Sequence, residues 1–280
     1  MTTELAEHLH RVSVADVDIR YLRAGHGTPI VLLHTLRTQL EYFGPLIEHL
    51  DTGRLESLAI DLPGHGESSA PAVDYTAGYF TDAVGALLEV CEVQDAIVVG
   101  ESIGGSIALA LAARQNARIN GVVAINPYDY GRWGGIRRSS VLANVLFTAM
   151  LFPAIGPVVA RTETKGILRR VLRGGLHDPA ALPADLVEKL SRCGELPGHA
   201  RAFRSLCLHW RTWIDARAGY GAINLPVTLV YGDDDWSRPD EREANARAIG
   251  GVRTATLANS GHFSSLEKPA VVAQLINELA

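Results

Sequence analysis

The stretch Ala96-Ile97-Val98-Val99-Gly100-Glu101-Ser102-Ile103-Gly104-Gly105 decides the fold. Its first four residues are continuously apolar, the pattern of a strand buried on both faces of a parallel sheet. After Ser102 the chain enters an apolar, Ala-rich run, residues 103–114, that reads as a helix. A strand and a helix joined through one serine force that serine into a strained backbone and raise its hydroxyl above the sheet. Gly100 and Gly104 let the two elements approach without a Cβ clash. The serine then sits at a helix N-terminus, where backbone N–H groups can hold an oxyanion. Outside that context G-x-S-x-G is a weak pattern, a Gly-rich turn capped by Ser.

Similar apolar runs lie on either side. Residues 30–34, 55–62, 121–125 and 227–231 read as buried strands, and 254–257 as a last strand. Residues 17–22 alternate, as in a half-buried antiparallel strand. Helical patterns fall between them at 42–50, 76–92, 103–114, 238–249 and 266–279. Strand–helix alternation at this spacing predicts an α/β fold, a mostly parallel sheet with helices on both faces. The rhythm stops at Asn126 and resumes at Leu225. The intervening stretch lacks strand runs and is punctuated by Pro153, Gly174, Pro183 and Pro197. The expected organisation is therefore a core of residues 1–126 and 222–280 with a helical cap at 127–221.

Composition narrows the function. The chain has 280 residues, 47% of them apolar, and a net charge of −5, which excludes a disordered chain. With 26 Lys+Arg against 31 Asp+Glu there is no basic surplus for phosphate backbones, so no nucleic-acid partner is expected. Cys91, Cys193 and Cys207 are too few and scattered for a disulfide framework or a Cys-based metal site, and read as buried thiols. No cofactor or metal is called for. The first ten residues are polar, without a secretory h-region, and His8 and His10 read as solvated tail residues; a cytoplasmic location is the expectation. The uncharged run 139–160 has the length of a membrane span, but Pro153, Gly156 and Pro157 interrupt it. A buried or lid helix is the reading, with no membrane span.

A serine hydroxyl is a poor nucleophile until a base takes its proton and a carboxylate orients that base. On this kind of sheet the chain order is Ser, then Asp or Glu, then His. Ser102 is followed by Asp233-Asp234-Asp235 after the strand 227–231, and by His262 in Ser260-Gly261-His262-Phe263 after the last strand. Both loops lie at carboxyl ends of strands, where open α/β sheets place their sites. Three adjacent carboxylates cannot all face one imidazole.

Together with Leu32-Leu33-His34, the loop Asp61-Leu62-Pro63-Gly64-His65-Gly66-Glu67-Ser68 and the closing Leu266-Glu267-Lys268-Pro269, these motifs resemble the α/β-hydrolase superfamily over essentially the whole chain. The resemblance implies Ser102 as nucleophile and His262 as base. In the family pattern the acid stands three residues after the glycine ending its strand, so Gly232 points to Asp235, with Asp129 the alternative. It further implies an oxyanion hole from the backbone N–H groups of Ile103 and Leu36. Thr35 stands where the family carries Gly, and its β-branch restricts that loop. Candidate substrate contacts are Thr35, Arg37, Trp133 and Trp236. The 61–68 loop lacks a P-loop lysine, so its role is structural.

The function expected from this set is hydrolysis of a carboxylic ester or related acyl compound with an apolar moiety, on a small-molecule substrate. C–C bond, lactone and thioester hydrolysis or cofactor-free perhydrolysis use the same residues. The rival from another class is a non-catalytic ligand-binding protein on the same scaffold.

Overall fold

Residues 30–33, 97–99 and 122–125 are apolar without a break because consecutive side chains enter opposite faces of one sheet, and both faces are covered. In the computed structural model, which describes residues 7–131 and 135–280, Val31, Leu33, Val98, Val122 and Ala124 point into one core. Ile30, Leu32, Ile97, Val99, Val123 and Ile125 point into the other. Burial of each such Val, Ile or Leu contributes about 1.5–3 kcal/mol.

The strands are β1 Leu9–Val14, β2 Val17–Gly25, β3 Thr28–Leu33, β4 Leu55–Ile60, β5 Ala96–Glu101, β6 Ile119–Ile125, β7 Val227–Gly232 and β8 Arg253–Leu257. They lie in the order β1-β2-β4-β3-β5-β6-β7-β8. β2 is antiparallel to β1 and β4, and the remaining pairs are parallel. The longer helices are α1 Ala77–Val90, α2 Ile103–Ala113, α3 Val141–Met150, α4 Gly156–Arg161, α5 Lys165–Arg173, α6 Ala184–Gly194, α7 His199–Leu208, α8 Trp210–Asp215, α9 Pro239–Ile249 and α10 Pro269–Asn277.

The parallel register sets the site. Leu33 aligns with Gly100, Glu101 with Ile125, Ile125 with Val230 and Gly232 with Leu257. The loops after β3, β5, β6, β7 and β8 therefore emerge along one edge of the sheet. Between β6 and β7 the described residues form helices and turns, α3 to α8, and these pack on the same edge. His199 Nε2 meets the Gly66 carbonyl at 3.0 Å, and the backbone N–H of His262 donates to the Gly175 carbonyl at 2.6 Å.

Local expectations need correction at four places. The polar N-terminus is not a tail from residue 9 onward: it forms β1, with His10 stacked on Tyr21 at 5.3 Å. An edge strand takes its order from backbone pairing with β2 and needs no apolar pattern. The stretch 42–50 is two short turns, Leu40–Phe43 and Gly44–Ile47. The stretch 266–279 is divided at Pro269, which lacks the N–H needed to continue the preceding turn and instead starts α10. Only Cys207 is a fully buried thiol; Cys91 and Cys193 are half-buried. The uncharged run breaks into α3 and α4, and no described helix is long and apolar enough to cross a membrane.

The 61–68 loop holds its neighbours together. Asp61 is buried and accepts from Arg20 Nε at 2.6 Å, the Leu40 backbone N–H at 2.8 Å and that of Glu67 at 2.8 Å. His34 joins this loop to the one after β3, with Nδ1–H donating to the Thr35 carbonyl and Nε2 accepting from Leu62 N–H.

Candidate active site

Ser102 closes β5 and opens α2 with φ 57° and ψ −117°, a conformation that costs about 1–3 kcal/mol in a non-glycine residue. Three backbone hydrogen bonds hold it there. Ser102 N–H donates to the Ile125 carbonyl at 2.9 Å, and the Ser102 carbonyl accepts from Tyr128 N–H at 3.0 Å and Ser106 N–H at 3.1 Å. A Cβ on Gly100 would lie 2.1 Å from the Gly104 carbonyl oxygen, and one on Gly104 would lie 2.0 Å from that of Leu33. Only glycine fits on either side of this turn.

The structure brings Ser102, His262 and Asp235 together. Ser102 Oγ lies 2.9 Å from His262 Nε2, and His262 Nδ1 lies 2.5 Å from Asp235 Oδ1. With the ring proton on Nδ1, the imidazole donates to the carboxylate and accepts from the hydroxyl. All three residues are buried. Burial alone pushes the Asp235 carboxyl up, but the His262 imidazole and the Ser237 donors outweigh it and hold it below the usual carboxylate range. Asp233 instead accepts from the Asn259 and Ser260 backbone N–H groups, and Asp234 faces His177 at 2.5 Å.

Asp129 is placed elsewhere. Its carboxylate accepts from Tyr220 Oη–H at 2.9 Å and from Asn245 Nδ2–H at 2.8 Å. Burial pushes it up to about 6. This network ties the end of β6 to α9 and to the turn preceding β7.

The N–H groups of Ile103 and Leu36 donate to no protein acceptor among the described residues. Of the candidate substrate contacts, Thr35 is turned onto its own loop, its Oγ1 3.3 Å from both the Leu36 carbonyl and Thr38 Oγ1. Arg37 pairs with Glu163 and lies over the Phe203 ring. Trp236 stacks on the His262 ring. Trp133 lies outside the described residues.

A sequence model of the alpha/beta hydrolase family matches residues 25–275, nine-tenths of the chain. The chain belongs to the alpha/beta hydrolase family. Among its relatives, an AB hydrolase superfamily protein of Bacillus subtilis (strain 168) is 32% identical over 264 residues, covering 91% of this chain and 92% of the relative. The 2-hydroxymuconate semialdehyde hydrolase of Pseudomonas sp. (strain CF600) is 25% identical over 228 residues, covering 79% and 75%. The crystal structure of the enol-lactonase from Burkholderia xenovorans LB400 superposes with a TM-score of 0.76 at 24% identity, covering 96% of this chain and 99% of that one.

Two residues beyond the sequence reading hold this family member's site in register. Asn126, the first residue after β6, accepts from Gly232 N–H at 2.9 Å and donates through Nδ2 to the His262 carbonyl at 3.1 Å. It links the strand end to both the acid loop and the His loop. Glu101, beside Ser102, accepts from Tyr42 Oη–H at 2.7 Å and from Ser265 N–H at 3.3 Å. Burial pushes its carboxyl up to about 7 against those donors. The available signal was a polar residue closing an apolar run, 96–100 before Glu101 and 121–125 before Asn126, where a buried polar group must find partners.

An apolar cavity runs inside the helical segment, lined by Ile136, Phe147, Met150, Leu168, Leu172 and Phe203, with Arg37 and Glu163 as its charged wall. Neither Ser102 nor His262 lines it. A second, smaller cavity is bounded by Leu36, Tyr128, Phe147 and Trp210. Phe147 lines both. Of the residues bounding the second, Tyr128 donates its backbone N–H to the Ser102 carbonyl.

Proposed function

We propose that this chain is a serine hydrolase that cleaves a carboxylic ester or related acyl compound with an apolar moiety through an acyl-enzyme. The observation that carries this reading is the buried Ser102–His262–Asp235 chain, at 2.9 and 2.5 Å, on a strained serine at a helix N-terminus. His262 Nε2 takes the Ser102 proton as Oγ attacks the carbonyl carbon. The resulting oxyanion accepts from the N–H groups of Ile103 and Leu36; one such donor is worth about 10²–10³ in rate. Asp235 stabilises the imidazolium, which returns its proton to the leaving oxygen. Water then repeats the sequence on the acyl-enzyme and frees the acid.

Residues 127–221 form the cap in this reading, over a core of 1–126 and 222–280. The two cavities sharing Phe147 supply the apolar binding surface. The relatives carry the names of different hydrolases, a 2-hydroxymuconate semialdehyde hydrolase and an enol-lactonase among them. The ester reading rests on the largely apolar lining, whose Arg37 and Glu163 pair with each other.

A fluorophosphonate tests the nucleophile. It should label the native protein on the peptide containing Ser102 and fail to label Ser102→Ala. A panel of p-nitrophenyl esters of increasing acyl length should be hydrolysed best at medium chain length. Label on another residue, with hydrolysis retained in Ser102→Ala, overturns the acyl-enzyme reading.

A further inference from the structure

We propose that Trp236 is a positioning residue for His262: its indole face fixes the imidazole in the rotamer that meets both Asp235 and Ser102, and stabilises the imidazolium formed during proton transfer. The kinetic half of this rests on the acyl-enzyme reading above; the stack itself does not.

The two rings are 4.0 Å apart between centroids and 16° from parallel. A neutral imidazole gains little from such a stack. A charged one gains more, because the indole face carries the negative end of its quadrupole. His262 is 1% exposed, so water does not solvate the charge. Asp235 meets the ring at its edge and Trp236 covers one face, so the two supports act on different parts of the same cation.

Trp236 is itself held from several sides. Its Nε1–H donates to the Gly174 carbonyl at 3.4 Å, its carbonyl accepts from Arg138 Nη1 at 2.7 Å, and Phe263 meets it edge-on at 6.0 Å. The next residue of the helical segment, Gly175, accepts from His262 N–H at 2.6 Å. A Cβ at Gly175 would lie 2.5 Å from Phe263 Cε2 and 2.7 Å from Trp236 Cζ2. The Gly174-Gly175 strap thus presses on the indole and on the His262 backbone together, which leaves the imidazole little room to rotate.

The charged groups facing this loop include Asp235, the Asp234–His177 pair, Asp233 at Ser260 N–H, Glu101 at Ser265, Glu267 at Gly261 N–H, Arg242 at Ser237 and Gly232, and Arg138, paired with Glu241, at the Trp236 carbonyl. Tyr130, near Asp235, stays neutral because burial pushes its phenol well up. The indole ring meets His262 face to face and Phe263 edge-on, while Asp235 meets His262 at Nδ1, so replacing Trp236 leaves that carboxylate in place.

Two measurements test the proposal. Protonated imidazole in contact with indole quenches its fluorescence. Wild-type emission should fall in one step as His262 gains its proton. The step should vanish in Trp236→Phe and His262→Gln and persist in His177→Gln. In parallel, the rate at which a fluorophosphonate captures Ser102 is measured against pH. Trp236→Leu should lower the plateau rate about tenfold and move the midpoint of the acidic limb about one pH unit downward, because the cation is less favoured. Trp236→Phe keeps a ring face and should recover most of both. A fluorescence step that survives in Trp236→Phe overturns the stack. So does a folded Trp236→Leu whose midpoint stays at the wild-type value, whatever its plateau, since a merely structural role lowers the rate without moving the limb. Should Trp236→Leu not fold, Trp236→Phe and the fluorescence step decide. Failure of native Ser102 to label removes the acyl-enzyme reading and leaves the stack to be judged by fluorescence.

Discussion

Replacing Asp235 or Asp129 by Asn separates the two carboxylates that the chain order offers as the acid. At position 235 the amide oxygen can still accept from Ser237 N–H, which now meets Asp235 Oδ2 at 2.9 Å. The amide nitrogen then faces His262 Nδ1, 2.5 Å from the present carboxylate oxygen. An N–H donor there forces the ring proton onto Nε2, and an Nε2–H cannot accept from Ser102. The same Asp-to-Asn exchange in a serine-protease triad costs ~10⁴ in kcat, so Asp235→Asn should lose between ~10² and ~10⁴ with KM little changed. At position 129 the consequence is structural. Asp129 accepts from Tyr220 Oη–H and Asn245 Nδ2–H in a buried site. The two donors meet different carboxylate oxygens, so an amide sets its NH2 against one of them and leaves a buried donor unpaired, at a cost of about 1–3 kcal/mol. That corresponds to a fall in Tm of about 2–4 °C per kcal/mol. Steady-state hydrolysis of a p-nitrophenyl ester, with melts followed by circular dichroism, reads both effects. Asp233→Asn and Asp234→Asn should leave kcat near wild type, since neither carboxylate meets His262. A collapse of kcat in Asp129→Asn with Asp235→Asn near wild type would refute the reasoning and place the acid after β6.

His34 supplies a pH-dependent test of stability. Burial depresses its folded pKa to about 4 from an ordinary value of 6.5, so its contribution is full above about pH 6.5 and is lost as pH falls toward 4. The destabilisation of His34→Gln relative to wild type, from urea unfolding, should shrink by about 3 kcal/mol between pH 7.5 and pH 4; a pH-independent difference excludes a buried neutral imidazole. Arg37 and Glu163 join the loop after β3 to the helical segment in a partly buried pair. A double-mutant cycle with Arg37→Met and Glu163→Gln should give a coupling of about 0.5–2 kcal/mol, and a coupling near zero would make the pair a solvated surface contact.

The sheet was legible because its signals are local. The runs 30–33, 97–99 and 122–125 are apolar at every position, and that pattern arises only where both faces of a strand are covered. The Ser102 turn was legible for a similar reason: a buried strand, two flanking glycines and an Ala-rich helix lie within twenty residues. β1 was not, because its polar residues take their order from pairing with β2.

Side-chain direction in the loops was decided elsewhere. Asp233, Asp234 and Asp235 are one residue type in one run, yet one meets backbone N–H groups, one His177 and one His262. Trp236 and Arg37, read from sequence as substrate contacts, are turned onto His262 and Glu163. The order of residues along the chain was enough for the elements, their alternation, and the Ser102, Asp235, His262 order whose side chains meet at the sheet edge. Which carboxylate reaches the imidazole, and what covers that ring, depended on the packed molecule. The bonds that hold these loops in place, Asn126 to Gly232, Arg37 to Glu163 and Asn126 to His262, join residues 106, 126 and 136 positions apart. Hydrogen bonds over such spans follow from the folded packing and leave no local period in the chain.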